Sequence, residues 1–170
     1  MKIRFIKSAT VNYIDPTTAI RYAEELGSIL TRVIAYTMQI RQAHWCTKGM
    51  SFSGVHPLYD EVYEHLADAQ DLIAERIVQL GFPTRASYDH LAKILGQTYC
   101  ADTLNVGFGE KEYLDITVRM GQELSGAFHT FIESFAKEEN ISADILIEVG
   151  RQLDKDLWKL QAHLEGPKLN

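Results

Sequence analysis

Cysteines and long apolar runs are both scarce in this chain. Its 170 residues include two cysteines, Cys46 and Cys100, and these show no CxxC spacing. Two cysteines are too few for a disulfide framework, so both thiols are expected to be reduced. No apolar run approaches the length of a membrane span, and the N-terminal residues lack a sustained apolar segment before a small-residue cleavage site. We therefore expect a cytoplasmic protein with no membrane partner.

Positive charge is also in deficit. The chain has 17 Lys and Arg residues against 23 Asp and Glu residues, a formal net charge of −6. This balance argues against a chain whose main role is electrostatic binding to nucleic acid, and an acidic surface instead suits the gathering of cations. Strand signals and internal repeats are missing, and the lone Gly107-Phe108-Gly109 is no phosphate loop because no Lys-Ser/Thr follows it.

Helical periodicity is the dominant pattern. Length and a hydrophobic content of 46% suit one domain over residues 1–170, with residues 1–14 as an N-terminal tail. The predicted long helices are one opened by Asp15-Pro16, one over 57–80 after a loop at 46–55, one over 110–137, and one capped by Ser142 and stopped by Gly166-Pro167. A short helix capped by Ser87 lies between the second and third. These segments predict an all-α four-helix bundle with a short extra helix in its long crossover.

Five candidate metal ligands stand out, namely His44, His56, Asp60, Asp71 and Glu75. At about 100° per residue, the last four share one face of the second helix, opposite its apolar stripe. Imidazoles and carboxylates together suit iron, manganese or zinc. The competing interpretation is a solvated charged face. His44 continues the apolar stripe of the first helix, so a core histidine is the alternative there.

The spacing along the second helix divides these ligands into two half-sites. Asp60 and Asp71 are eleven residues apart, or roughly 16 Å at 1.5 Å per residue, which is too far to hold one metal between them. His44, His56 and Asp60 therefore form one half-site, and Asp71 and Glu75 form the other. A second copy of the chain related by a two-fold axis would bring each half-site onto its complement.

A family resemblance rests on the same stretch. The pattern is His44-Trp45, Gly49, Phe52, then His56 twelve residues after the first His, Asp60, and Asp71-x-x-Ala74-Glu75-Arg76, with a closing segment SADILIEVGRQLDKDLW. It resembles the Dps family, the DNA-binding proteins from starved cells, also called mini-ferritins. The resemblance implies a ferritin-like bundle and a dodecameric cage. It also implies ferroxidase sites made by the five ligands across two subunits, oxidation of ferrous iron preferentially by hydrogen peroxide, and storage of ferric mineral.

The resemblance also implies an acidic pore for iron entry, and a departure from ordinary ferritins gives an expectation for the interior of the bundle. An acidic pore at the junction of the last two helices would admit iron, with Glu138, Glu139, Asp144 and Glu148 as candidates. Unlike ordinary ferritins, the third and fourth long helices offer no Glu-x-x-His pair. The interior of the bundle is therefore expected to be apolar.

Two alternative functions remain. One is a DNA-compacting structural protein with secondary iron chemistry, because Lys2, Arg4 and Lys7 make the tail locally basic. Apolar residues interleave with those charges, which suits a segment packed on the protein more than a free arm, so DNA is not the favoured partner. The other is a cage that has lost activity or uses another metal.

Overall fold

The described part of the chain is built of helices alone. The computed structural model describes residues 11–95 and 109–165, and its five helices are α1 (Pro16–Cys46), α2 (Phe52–Gln79), α3 (Tyr88–Leu95), α4 (Glu110–Phe135) and α5 (Asn140–Glu165). This confirms the all-α prediction, including the short extra helix, α3, between the second and third long helices. The basic residues of the tail, Cys100 and the C-terminal Gly-Pro lie outside the described residues. None of the described helices has the length and apolar character needed to cross a bilayer.

Neighbouring long helices run antiparallel. Between α1 and α4, the ring of Tyr22 stacks on Phe135, with ring centroids 4.5 Å apart, and Tyr36 Oη donates to the Thr117 carbonyl at 3.0 Å. Helices α1 and α2 are antiparallel too, because Arg41 contacts Asp60 and Thr37 contacts Gln70. Helices α2 and α4 are therefore parallel. The end of α2 and the start of α4 thus lie at opposite ends of the bundle, about 39 Å apart along its axis for a helix of α4's length. Helix α3 lies within the connection between them and packs on α1.

The core fills the space between the four long helices. Apolar side chains at three- and four-residue steps are buried on every long helix, which confirms the predicted stripes. Gly121 of α4 permits close approach at the centre. A Cβ atom there would lie 2.3 Å from Leu157 Cδ2 and 2.6 Å from Tyr36 Oη. The absence of a side chain at this position thus lets α1, α4 and α5 pack closely.

The start of α1 agrees with the prediction, and the start of α2 does not. Asp15 accepts hydrogen bonds from the backbone N–H groups of Thr17 and Thr18 at 3.0 and 3.1 Å. A hydrogen bond with the Thr18 side chain, together with these backbone bonds, lowers the pKa of Asp15. Helix α2 begins at Phe52, so the prediction that residues up to 55 form a loop was wrong. Pro57 is the sixth residue of the helix and costs it one hydrogen bond. The turn before it is already closed by hydrogen bonds to the Ser51 carbonyl oxygen.

The start of α5 also corrects a prediction. Glu139, and not Ser142, provides the cap, because its carboxylate accepts from the N–H groups of Ile141 at 3.3 Å and Ser142 at 2.7 Å. Ser142 Oγ instead accepts from Arg76 Nε at 2.9 Å. A serine before an apolar run predicted a Ser142 cap, but the sequence pattern did not show that Arg76 of α2 contacts this serine.

Candidate metal centre

Three of the five predicted ligands converge where α1 ends and α2 begins. The short connection between these helices places the rings of His44 and His56 face to face, with centroids 3.8 Å apart. Phe52 stacks on His56, with centroids 4.6 Å apart. One ligand atom from each of His44, His56 and Asp60 lies within 4.8 Å of the others. The chain therefore forms a compact group of two imidazoles and one carboxylate.

Backbone carbonyls hold both imidazoles in the same tautomer. His44 Nδ1 lies 3.1 Å from the carbonyl oxygen of His56, and His56 Nδ1 lies 3.1 Å from the carbonyl oxygen of His44. A carbonyl oxygen can only accept, so each Nδ1 carries the hydrogen and each neutral ring keeps a lone pair on Nε2. The hydrogen bond to His44 O also satisfies one of the free carbonyls at the end of α1. Both rings are thus oriented in the way that metal-binding histidines require.

Arg41 positions the carboxylate of this group, a residue that the sequence analysis missed. Arg41 Nη1 donates to Asp60 Oδ1 at 2.7 Å, while its guanidinium carbon lies 4.0 Å from the ring centroid of Tyr63. Asp60 Oδ1 is also 3.5 Å from His44 Nδ1. The signal available in the sequence was the position of Arg41, three residues before His44 on the same helix face.

Asp71 and Glu75 lie further along the same continuous helix and do not join this group. Both are exposed, and Asp71 is roughly 16 Å from Asp60 along the axis at 1.5 Å per residue. Asp71 lines an open cavity of about 310 Å³ between α1 and α2, together with Met38 and Ala67. One chain therefore presents two separated half-sites on one surface.

The residues expected at a pore have different environments. Glu139 is buried, and its carboxylate pairs with Arg76 at 3.1 Å while capping α5, so it is unavailable to a pore. Glu138 accepts hydrogen bonds from Arg21 and, at 2.8 Å, from Tyr22 Oη. Burial, with that bond, raises the pKa of Tyr22 to about 12. Asp144 and Glu148 are both exposed and lie one turn apart on α5.

The interior of the bundle is not wholly apolar, contrary to expectation. Asp156 of α5 is buried and bonded to His65 of α2. The sequence carried a signal for this carboxylate, because Asp156 falls at core spacing between Leu153 and Leu160. The prediction treated this stripe as wholly apolar and did not count Asp156 as a buried residue.

Comparison with known proteins agrees with this fold. A family model described as a ferritin-like domain matches residues 23–169. The chain superposes on Dps from Mycobacterium smegmatis with a TM-score of 0.84 and 24% identity, covering 94% of each chain. The bundle and the matched span define a ferritin-like protein.

Two relatives narrow that class. The chain is 32% identical over 142 residues to the DNA protection during starvation protein of Agrobacterium fabrum, covering 82% of this chain and 85% of that one. It is 29% identical to Dps from Microbacterium arborescens, solved in a high iron form, with a TM-score of 0.80 and coverage of 91% and 99%. The chain belongs to the Dps family. Membership supports a role in iron storage and protection.

Proposed function

We propose that this protein is a ferroxidase cage that oxidises ferrous iron at sites shared between two subunits and stores the ferric product as a mineral. The observation that carries the proposal is the convergence of His44, His56 and Asp60, with Asp71 and Glu75 displaced along the same surface. Neither half-site alone offers a full ligand set. A two-fold axis that lays α2 against its own copy completes both half-sites at once.

In this proposal iron is the substrate. The Nε2 atoms of His44 and His56 and the carboxylate of Asp60 bind it from one chain, and Asp71 and Glu75 bind from the partner, with Glu75 as the bridge. So few protein ligands leave positions for water or peroxide. Two ferrous ions give two electrons to one hydrogen peroxide, which takes up two protons and leaves as two waters. Transfer of both electrons together avoids radical release, which favours peroxide as the oxidant.

Family membership supports a proposal for the wider assembly. We propose twelve chains in a cytoplasmic cage, with the exposed carboxylates Asp144 and Glu148 lining the route by which iron enters. A ring of such charges steers cations inward. Glu139 is left out of this pore because its carboxylate is buried against Arg76.

DNA compaction is the alternative function, and the name of the Agrobacterium relative refers to DNA protection. The net charge of −6 opposes phosphate binding. The basic residues of the tail lie outside the described part of the chain, so no structural observation favours this alternative.

The test compares a variant that lacks one half-site with a control variant that carries a matched change elsewhere on the surface. In one variant His56 and Asp60 become alanine. In the control, His129 and Glu133 become alanine, since they form an exposed His–carboxylate pair 3.7 Å apart on α4. Oxidation of ferrous iron is followed by absorbance, with peroxide and separately with oxygen.

The half-site variant should lose at least about a hundredfold in rate, because it removes direct ligands and not only the groups that orient them. The control should match wild type. A half-site variant that oxidises iron at the wild-type rate would contradict the site, and equal rates with oxygen and peroxide would contradict the oxidant preference.

A further inference from the structure

A second group of potential metal ligands lies between α2 and α5, away from the site described above. Glu61 and His65 are one turn apart on α2, and Asp156 faces them from α5. One ligand atom from each lies within 4.8 Å of the others. The described residues contain two such groups, and this one needs no second chain.

The polar atoms of this group converge on one ring nitrogen. Asp156 Oδ2 and Oδ1 lie 2.9 and 3.2 Å from His65 Nδ1, and Gln152 Nε2 lies 3.1 Å from the same atom. Neighbouring ligands on a tetrahedral metal bound at about 2.1 Å lie about 3.4 Å apart, so these atoms need to separate by only a few tenths of an ångström to admit an ion. Rotation of the Gln152 amide by 180° would present its oxygen, a ligand atom, at the same place.

The buried carboxylate calls for a positive charge. The side chain of Asp156 is 2% exposed, and burial raises the pKa of its carboxyl group above the ordinary value. A buried charge is costly unless it is paired or coordinates a metal. His65 supplies a countercharge only when it is protonated, whereas a bound divalent cation supplies one while the imidazole is neutral.

A cavity gives access to the group. It has a volume of about 460 Å³ and lies between α2 and α5, and His65 and Asp156 are among the residues that line it. The carboxylates Asp68 and Glu148 also line this cavity. Arg151 and Lys155 line it as well, so the cavity gives a solvent route to the imidazole whose lining is mixed in charge.

We propose that Glu61, His65 and Asp156 bind a divalent transition-metal ion within a single chain, with the amide oxygen of Gln152 as a fourth ligand. One imidazole with carboxylate and amide oxygens suits Zn²⁺, Co²⁺, Mn²⁺ or Fe²⁺. Binding releases the proton from His65 Nδ1 and displaces the ammonium of Lys159, which pairs with Glu61 in this structure. The site is separate from the shared half-sites, and its test does not depend on iron oxidation.

Cobalt binding tests the proposal in the full-length protein. The background carries His44→Ala and His56→Ala, which disable the first site. Onto it are added His65→Gln, Lys159→Gln or, as control, His129→Gln on the exposed face of α4. Equilibrium dialysis gives the amount and affinity of bound Co²⁺, and anomalous diffraction from cobalt-soaked crystals locates it.

The background protein should bind one Co²⁺ per chain, with an anomalous peak within bonding distance of His65 Nδ1. His65→Gln should remove that equivalent, and His129→Gln should leave it. Lys159→Gln should raise the affinity by about tenfold, because it frees Glu61 and removes a like charge. This gain is not expected if the group is only an ion pair that stabilises the bundle.

Three results would overturn the proposal. The first is no anomalous peak at His65, and the second is an unchanged cobalt equivalent in His65→Gln. The third is a Lys159→Gln variant whose affinity stays the same or falls, because Glu61 would then not be a ligand.

Discussion

Helix α2 carries two groups of histidine and carboxylate that differ in their surroundings. His56 and Asp60 lie about 140° around the helix from Glu61 and His65 at 100° per residue. The side chain of Asp60 is 48% exposed, whereas that of Asp156, the buried carboxylate of the second group, is 2% exposed. The first group lies on the open side of α2, and the second is covered by α5 at Asp156, although Glu61 on α2 itself is 44% exposed. The same residue types therefore lie in different environments, depending on what packs against each side of one helix.

Substitutions on the two sides of α2 should therefore affect different properties, namely the stability of the fold and the rate of iron oxidation. A change to a fully buried charge on the closed side of α2 should reduce stability, because water cannot replace its lost partner. A change on the open side should reduce iron oxidation and leave the fold intact, because solvent can replace the lost partner.

The largest effect is expected from Arg76 on the closed side. Its side chain is 3% exposed and pairs with Glu139 at 3.1 Å. The substitution Arg76→Met leaves the Glu139 carboxylate buried without its countercharge, which should lower the free energy of unfolding by about 3–5 kcal/mol. Chemical denaturation measured by circular dichroism at fixed protein concentration gives this difference.

Arg119→Met is the control for that prediction. Arg119 also pairs with a carboxylate, Asp115, but its side chain is 65% exposed. Its loss should cost less than about 0.5 kcal/mol. Equal costs for the two variants would show that burial does not set the energy of these pairs.

A smaller effect is expected from Arg41 on the open side. Arg41 orients Asp60 but is not itself a ligand. The substitution Arg41→Met should slow peroxide-driven iron oxidation by about ten- to a hundredfold, the usual cost of losing a partner that orients a metal ligand. Stopped-flow absorbance measures the rate.

Arg21→Met is a close match, because Arg21 lies on the same helix, pairs with Glu138 and has its guanidinium carbon 4.5 Å from the ring centroid of Tyr22. It should oxidise iron at the wild-type rate. If both arginine variants are slowed alike, the effect of Arg41 is not specific to the metal group.

Local patterns predicted most of the fold. Apolar periodicity indicated the long helices, and Asp15-Pro16 predicted the start of α1, because a cap acts within one turn. The predicted start of α2 was wrong because Pro57 was taken as the first helical residue. The helix already begins before it, with a turn closed on the Ser51 carbonyl oxygen. The cap of α5 was wrong because Glu139 is held by Arg76 of a distant helix.

The candidate site divides in the same way. The spacing of His44, His56 and Asp60 indicated which residues belong together, because it depends on helix geometry and one short loop. The role of Arg41 and the burial of Asp156 depend on contacts between helices. Sequence periodicity marks the face on which a residue lies, but it does not specify the partner that it meets there.

The central claim is that each iron site draws ligands from two chains, and mixing two defective variants tests it most directly. One variant carries His56→Ala and Asp60→Ala, and the other carries Asp71→Ala and Glu75→Ala. Each alone should assemble but oxidise iron poorly, since every site lacks one half. Refolded together in equal amounts, about half of the two-fold pairs are mixed, and each mixed pair rebuilds one intact site of two.

The mixed protein should recover about a quarter of the wild-type rate of peroxide-driven oxidation. Native mass measurement confirms that mixed assemblies have formed. If both half-sites served the same chain, mixing could restore nothing. A mixed assembly no more active than the average of the two variants would contradict the shared site.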